Sequence, residues 1–418
     1  MKKIVLSTIA ALAVAATSLS ASQQFYVDDK GQVFTTSASD RVAIENKESS
    51  IFSKVKNLEF SGTHYFGLTS ATPNTTLNSG ADISKYADTS TGFELRRNYV
   101  QVKGFFNDKD YWRVTMDATK ELASSKSYAD VFVKYAYLYL DEVLPYTSVE
   151  FGIAHRPWID YEEHNGWFYR SFNKVAIEEK GTATEAGVDL VNSSDLGINF
   201  KTKTDMFSSE IGIYNGEGYH ADKAAANQEN SSDLSLEWRL TAHLIGSGKK
   251  VSKQDRTKDT YMHLSTFGLI SQNHKDDTVA LNGAGEYDRK FYGFHAVYNQ
   301  PFFLVSAQYI TAKDEARDTL ITDSKDYDLF SVNGEIRPFK DWTVIGRYDG
   351  YQIDKTTKIT SAESTLADGS KLIAALAYKY NKNVSFIASG KFIDEKNVNS
   401  GDSGESKDVY MLTTEVKW

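Results

Sequence analysis

The sequence predicts an all-β chain, a transmembrane antiparallel β-barrel of about 16 strands with short periplasmic turns and long external loops. Three observations predict it. Apolar and polar residues alternate along stretches longer than ordinary soluble strands. The connections between those stretches are alternately short and long. A leader-like start is followed by no other long apolar run.

Alternation comes first, because successive side chains of a strand point to opposite faces. Between Leu234 and Leu244 one face reads Leu234, Leu236, Trp238, Leu240, Ala242 and Leu244. The other reads Ser235, Glu237, Arg239, Thr241 and His243. A tilted membrane strand needs about 9–11 residues, whereas soluble strands stop at about 5 or 6. Val131 to Asp141 is similar, with Val131, Val133, Tyr135, Tyr137 and Tyr139 on one face and Asp130, Phe132, Lys134, Ala136 and Leu138 on the other. The composition agrees: 25 Tyr and 23 Phe favour strands, and Pro, which central strands exclude, occurs 5 times. No Cys is present, so packing and strand pairing alone must hold the fold.

The start has the pattern of a signal peptide over 1–22. Met1-Lys2-Lys3 is basic, Ile4 to Leu19 is apolar, and Ser20, Ala21 and Ser22 are small. With no later apolar run, a membrane crossing falls to a closed barrel, the non-helical structure that pairs every backbone group in lipid.

The short connections include 107–110, 142–146, 202–205, 299–301, 338–341 and 381–383. The long ones run near 69–91, 119–127, 156–193, 216–231, 273–287, 313–326, 354–368 and 394–405. Short turns on one side and long loops on the other are a barrel's rhythm. One connection, 246–258, is too long for a periplasmic turn. The strands run from 55–68 through 128–141, 327–337 and 369–380 to 406–418, an even count that leaves room for an aqueous channel. Residues 55–418 form the barrel domain, and 23–54 a periplasmic or lumenal segment. Tyr26 to Gly31 reads as a hairpin turn, and 40–54 as a short helix.

The run Phe93 to Asp117 (FELRRNYVQVKGFFNDKDYWRVTMD) resembles the phosphate-selective porin O and P family of bacterial outer membranes. So does Phe151-Gly-Ile-Ala-His-Arg-Pro157 with its following Arg170-Ser-Phe. The resemblance implies a sixteen-stranded, trimeric barrel that passes small solutes. Tyr410, Leu412, Val416 and Trp418 share a face of the last strand and resemble the carboxy-terminal signal of such barrels, which implies the barrel-assembly machinery as a partner. In porins the third external loop folds inward. Here it spans 156–193, and its aromatics demand a packing partner. A pore constriction is therefore expected from Asp160, Glu162 and Glu163 opposing Arg156, Arg170 and Lys174, since charged rings set selectivity where little water screens them. The acidic loop suggests a cation preference, the family an anion preference.

Strand phase puts Arg113, Lys134, Glu237, Arg239, Arg337 and Arg347 on the pore wall, with Asp117, Asp130, His243, Glu335 and Asp349. A charge facing lipid at mid-depth costs about 2–4 kcal/mol. Adjacent Arg96 and Arg97 cannot both face inward in a regular strand, so one is expected to snorkel to the headgroups. Tyr111, Trp112, Tyr139, Tyr146, Trp342 and Trp418 read as interfacial girdles.

A formal net charge of -9 argues against nucleic acid as a partner. Eight His lie scattered without a metal-ligand or nucleophile motif, so no enzyme, cofactor or metal is expected. The expected function is passive diffusion of ions and small hydrophilic solutes through a homotrimer embedded in outer-membrane lipid. A secreted or surface β-rich adhesin is the alternative.

Overall fold

The structure, a computed structural model, describes residues 26–28, 32–43, 55–75, 90–120, 130–179, 186–216, 218–219, 234–272, 287–316, 323–357, 362–397 and 405–418. The leader expected over 1–22 lies outside the described residues. Two compact units are present, 1–56 and 57–418.

The first unit holds three short strands, β1 (Tyr26–Asp28), β2 (Val33–Phe34) and β3 (Arg41–Ala43), in the order β2-β1-β3. The Asp28 carboxylate accepts from the Gln32 backbone N–H at 2.7 Å, closing the hairpin. The helix expected from residue 40 does not begin there. Val42 pairs with Val27, and the strand continues through Ala43; residues 44–54 lie outside the described residues.

The second unit is a closed barrel of sixteen strands. In chain order they are β4 (Asn57–Thr75), β5 (Ser90–Phe105), β6 (Tyr111–Thr119), β7 (Asp130–Leu144), β8 (Thr147–His155), β9 (Ser194–Lys203), β10 (Phe207–Tyr214) and β11 (Ser235–Ile245). There follow β12 (Tyr261–Ser271), β13 (Tyr287–Gln300), β14 (Phe303–Ala316), β15 (Asp323–Phe339), β16 (Trp342–Thr357), β17 (Ala362–Lys379), β18 (Val384–Asn397) and β19 (Glu405–Lys417). Each pairs antiparallel with the next, and β19 returns to β4 with Lys417 opposite Thr63. Several strands run further toward the long loops than the alternation suggests. β15 starts at Asp323 and β17 at Ala362, because their polar outer ends pair backbones without an apolar face to mark them.

Burial is inverted relative to a soluble protein. Along β11, Leu236 and Leu244 are exposed, whereas Glu237, Arg239 and His243 are buried. The exposed set elsewhere includes Phe294, Tyr309, Phe330, Val344, Leu372, Phe386 and Leu412. Such a surface in water would be a large aggregation patch; in lipid it is the solvated face.

Two bulges decide which charges reach the lumen. In β5, Arg97 pairs with Tyr65 and Leu95 with Phe66, leaving Arg96 as the extra residue. A bulge resets the side-chain phase. Both arginines therefore turn inward and neither snorkels: Arg96 pairs with Glu94 at 3.1 Å and Arg97 with Asp117 at 2.8 Å. In β7, Tyr135 pairs with Thr115 and Val133 with Met116, leaving Lys134 extra. Val131 and Val133 stay outside while Tyr135 and Tyr137 swing into the lumen. Tyr111 and Tyr139 follow that phase and stack at 4.8 Å on the lumen wall, not in a girdle.

Closure is tight at the β4–β19 seam. Trp418 exchanges backbone hydrogen bonds with Gly62 at 3.0 and 3.1 Å, and its indole donates to His64 at 2.8 Å. A Cβ on Gly62 would stand 2.6 Å from that indole. Gly62→Val is expected to displace Trp418 and lower the temperature at which the SDS-resistant folded band converts by roughly 5–10 °C. An unchanged conversion temperature would show that the seam tolerates the displacement.

Candidate pore constriction and vestibule

The long connection between β8 and β9 enters the barrel. Helix α1 (Pro157–Asn165) begins it, with Pro157 at the position where a missing N–H is harmless. The underside is apolar. Trp158 lies flat on Phe267, ring centroids 3.5 Å apart, and Ile159, Val175, Ile177, Val188 and Leu190 share one buried cluster with Leu269, Phe291, Ile310, Leu329, Ile345 and Ile373. An apolar patch on the lumen face of β12 to β19 is thus covered by this loop. The aromatics do pack against something, as expected.

Polar contacts pin the same loop. Arg156 pairs with Asp195 at 2.8 Å and Glu237 at 3.3 Å. Glu179 pairs with Lys371 at 3.2 Å. Arg347 donates to the Lys174 carbonyl at 2.6 Å, lies over Trp167 and pairs with Asp349. Tyr169 donates to Glu335, which also holds Arg337. Arg239 lies over Tyr161 and pairs with Glu210 at 3.1 Å. Of the residues expected on an open rim or wall, then, Arg156, Glu237, Arg239 and Arg347 are fasteners, while Arg337 is held by Glu335 and the 299–301 turn. The fasteners are buried on the inner side of the barrel, and strand phase could not show what they touch.

Glu162 is the clearest departure. It is buried against the wall, accepting from Gln308 at 2.6 Å, and does not face the channel. Burial pushes its carboxyl up to about 8, against the pull of Arg347 and Gln308. Glu178 is the opposite case: burial acts upward, but Arg170, 2.5 Å away, outweighs it and holds the carboxyl at about 2. Asp160 is likewise held low against its own burial, by Lys201 and His155.

These shifts have opposite signs in stability. The Glu178 contribution is present above its unfolded value of 4.5 and is lost as pH falls through about 2. Glu178→Gln is expected to cost about 2–4 kcal/mol near neutral pH, shrinking in acid, by urea unfolding in lipid vesicles. Glu162 loses stability as pH rises from 4.5 through about 8. Glu162→Gln should therefore be neutral near pH 4, stabilising by pH 6 and more so at pH 9. Equal pH profiles for the two variants would contradict the assignment.

Beneath the loop, toward the short turns, lies a cavity of about 1110 Å³. Asp160, Glu163, Trp167, Phe168 and Arg170 roof it, and its walls come from β4 to β9 and from β17 to β19. The acids of the roof are spent: Glu163 is bound by Arg170, and Asp160 pairs with Lys201 at 3.3 Å. Five of the lining cations are not. Among the described residues, no carboxylate comes within 4.0 Å of Lys103, Arg113, Lys134, Lys203 or Lys253. Arg113 donates to Thr115 and to the Tyr137 hydroxyl at 3.0 and 3.1 Å and lies over Tyr135. Lys134 donates to Tyr99 at 3.2 Å, and Lys103 sits over Tyr111. Lys103 and Arg113 are direct cross-strand partners, a like-charge pairing that is destabilising unless answered. Glu59, opposite Lys103 on its other side, does not reach it.

Known structures share this architecture. The barrel is similar to the anion-selective porin of Comamonas acidovorans, at 10% identity over 87% of this chain and 99% of that one, with a TM-score of 0.58. The trimer form of OmpT, an outer membrane protein of Vibrio cholerae, matches at 14% identity over 87% and 99%, TM-score 0.52. The outer membrane channel DcaP of Acinetobacter baumannii matches at 8% identity over 87% and 97%, TM-score 0.52. At such identities the likeness establishes the fold, an outer-membrane-type barrel. No protein-family profile and no curated protein matches the chain, so the resemblance to the phosphate-selective porins gains no support from them.

Sequence reading missed Lys103, Lys201 and Lys203. Lys201 and Lys203 carry a detectable signal, alternate positions at the end of a strand. Lys103 carries less, because its phase is offset by the Arg96 bulge.

Proposed function

We propose that the chain is an outer-membrane porin, a passive diffusion channel for ions and small hydrophilic solutes, with 1–22 as its export signal and Tyr410, Leu412, Val416 and Trp418 as its assembly signal. One observation carries the reading: an apolar exposed wall encloses a water-sized lumen partly filled by its own inward-folded loop. An adhesin has no use for a lipid-facing wall. A homotrimer is proposed by analogy with the trimer form of the Vibrio protein. The transport step needs no chemistry; a solute moves down its gradient, and lumen charge biases its sign.

The proposed sign is anionic, reversing the expectation from the acidic loop. The loop acids are neutralised by Arg170 and Lys201, whereas the vestibule lining carries ten Lys and Arg against six Asp and Glu. Two features favour this over bulk charge. The chain's excess acid is not in the lining, and wall cations resting on tyrosines keep their outward field.

Single-channel recording in a planar bilayer under a KCl gradient tests both statements. Large, stable conductance steps with a reversal potential of anion sign are expected. No conductance from correctly folded protein overturns the porin; conductance with a cation-sign potential overturns only the selectivity.

A further inference from the structure

The connection between β11 and β12, residues 246–260, is far longer than its neighbours on the short-turn side, such as 145–146 or 340–341. The length is used. A 3-10 turn at Gly248–Lys250 is held down by Lys249, which reaches Asp205 at 2.6 Å, and by the Gly248 backbone N–H, which donates to the Asp205 carbonyl at 2.9 Å. Gly248 passes so close to the neighbouring turn that a Cβ would stand 2.5 Å from the Thr204 carbonyl. Val251 is buried in the cluster under the constriction loop, and its carbonyl accepts from Asn165 at 3.0 Å. Arg256 lies over Phe168 and Tyr169, at 4.4 and 4.9 Å, and pairs with Glu335 at 3.3 Å. The segment therefore folds under the barrel mouth and touches the constriction loop from below.

Its charges are sorted. Lys249 pairs with Asp205, Lys250 with Asp259 and Lys258 with Asp255. Lys253 has no such partner among the described residues and lines the vestibule beside Lys203, which donates to Ser252 at 2.7 Å. A segment that satisfies three of its lysines and leaves the fourth facing the lumen is not only a turn.

We propose that residues 246–260 form a second selectivity element, a fixed exit collar in which Lys253 and Lys203 attract small anions at the short-turn mouth. This rests on the porin reading and adds a site that the constriction loop does not supply. The collar acts on permeation through its charge, and the loop above it through its bulk.

The absence of native Cys makes the test clean. In the full-length protein in a planar bilayer, Lys253→Glu is expected to lower the anion-to-cation permeability ratio about threefold and to make the current rectify. Lys258→Glu, which lies off the lining, should leave the ratio unchanged. Should Lys253→Glu fail to give the SDS-resistant band, Lys253→Cys followed by an anionic methanethiosulfonate during recording places the same negative charge there in an already folded channel, a change of one unit from the neutral thiol. The expected result is a stepwise fall in the ratio upon modification. A wild type that conducts and a Lys253→Cys channel whose ratio and rectification are unmoved by complete modification overturn the collar and leave the porin standing; a wild type that never conducts overturns the porin first.

Discussion

Replacing residues 158–191 with a short turn is expected to leave a heat-resistant barrel whose single-channel conductance is severalfold larger. The strand ladder does not need the loop: His155 pairs with Ser194, and the Arg156 N–H donates to the Ser193 carbonyl at 3.2 Å. A hairpin can therefore close there at once. What the loop does is fill space. Its apolar underside covers Phe267, Leu269, Phe291, Ile310 and Ile345, removing that patch of the wall from water. Each large apolar side chain so buried is worth about 1.5–3 kcal/mol. That makes the loop a permanent partition, not a flap, and leaves the open space between β4 to β9 and β17 to β19. Removal should also relax the size limit, measured as the largest polyethylene glycol that enters the pore. Unchanged conductance in the deletion variant would mean that the narrowest point lies elsewhere, and would place it among the residues of the short-turn mouth.

Reversing two wall charges is expected to reverse the ion preference. In the double variant Lys103→Glu/Arg113→Glu the reversal potential should change sign under the same KCl gradient. Both side chains line the vestibule, they face each other across β5 and β6, and among the described residues no carboxylate lies within 4.0 Å of either. Their field is not cancelled locally, and at an effective dielectric near that of a protein surface two opposed charges a few ångströms from a passing ion interact by several kcal/mol. The single changes should each move the potential part of the way. Arg239→Gln is the contrasting control: its charge is absorbed by Glu210 and by the Tyr161 ring, so it should weaken the loop's fastening without shifting ion preference. A double variant that keeps the wild-type sign would show that the bias arises above the constriction.

By itself the sequence determined that this chain makes a barrel, and which side of most strands faces lipid. Those are one-dimensional properties: a period of two, repeated over about ten residues and broken by turns, survives any detail of packing. The same pattern located the loop that enters the lumen and marked 246–258 as too long for its place. Only the tertiary structure decided the identity of the lumen charges. Arg96 and Lys134 are single extra residues in bulges, and one such residue flips the phase of all that follow, which alternation cannot register. It also decided that Glu162 is a buried partner of Gln308, that Arg347 and Arg156 fasten a loop, and that Lys103 and Arg113 stand unanswered. Charges act through distance, and neighbours in space such as Arg347 and Lys174 are far apart in the chain. Whether an acid or a base is free to act on a solute is settled by what the barrel's closure brings beside it.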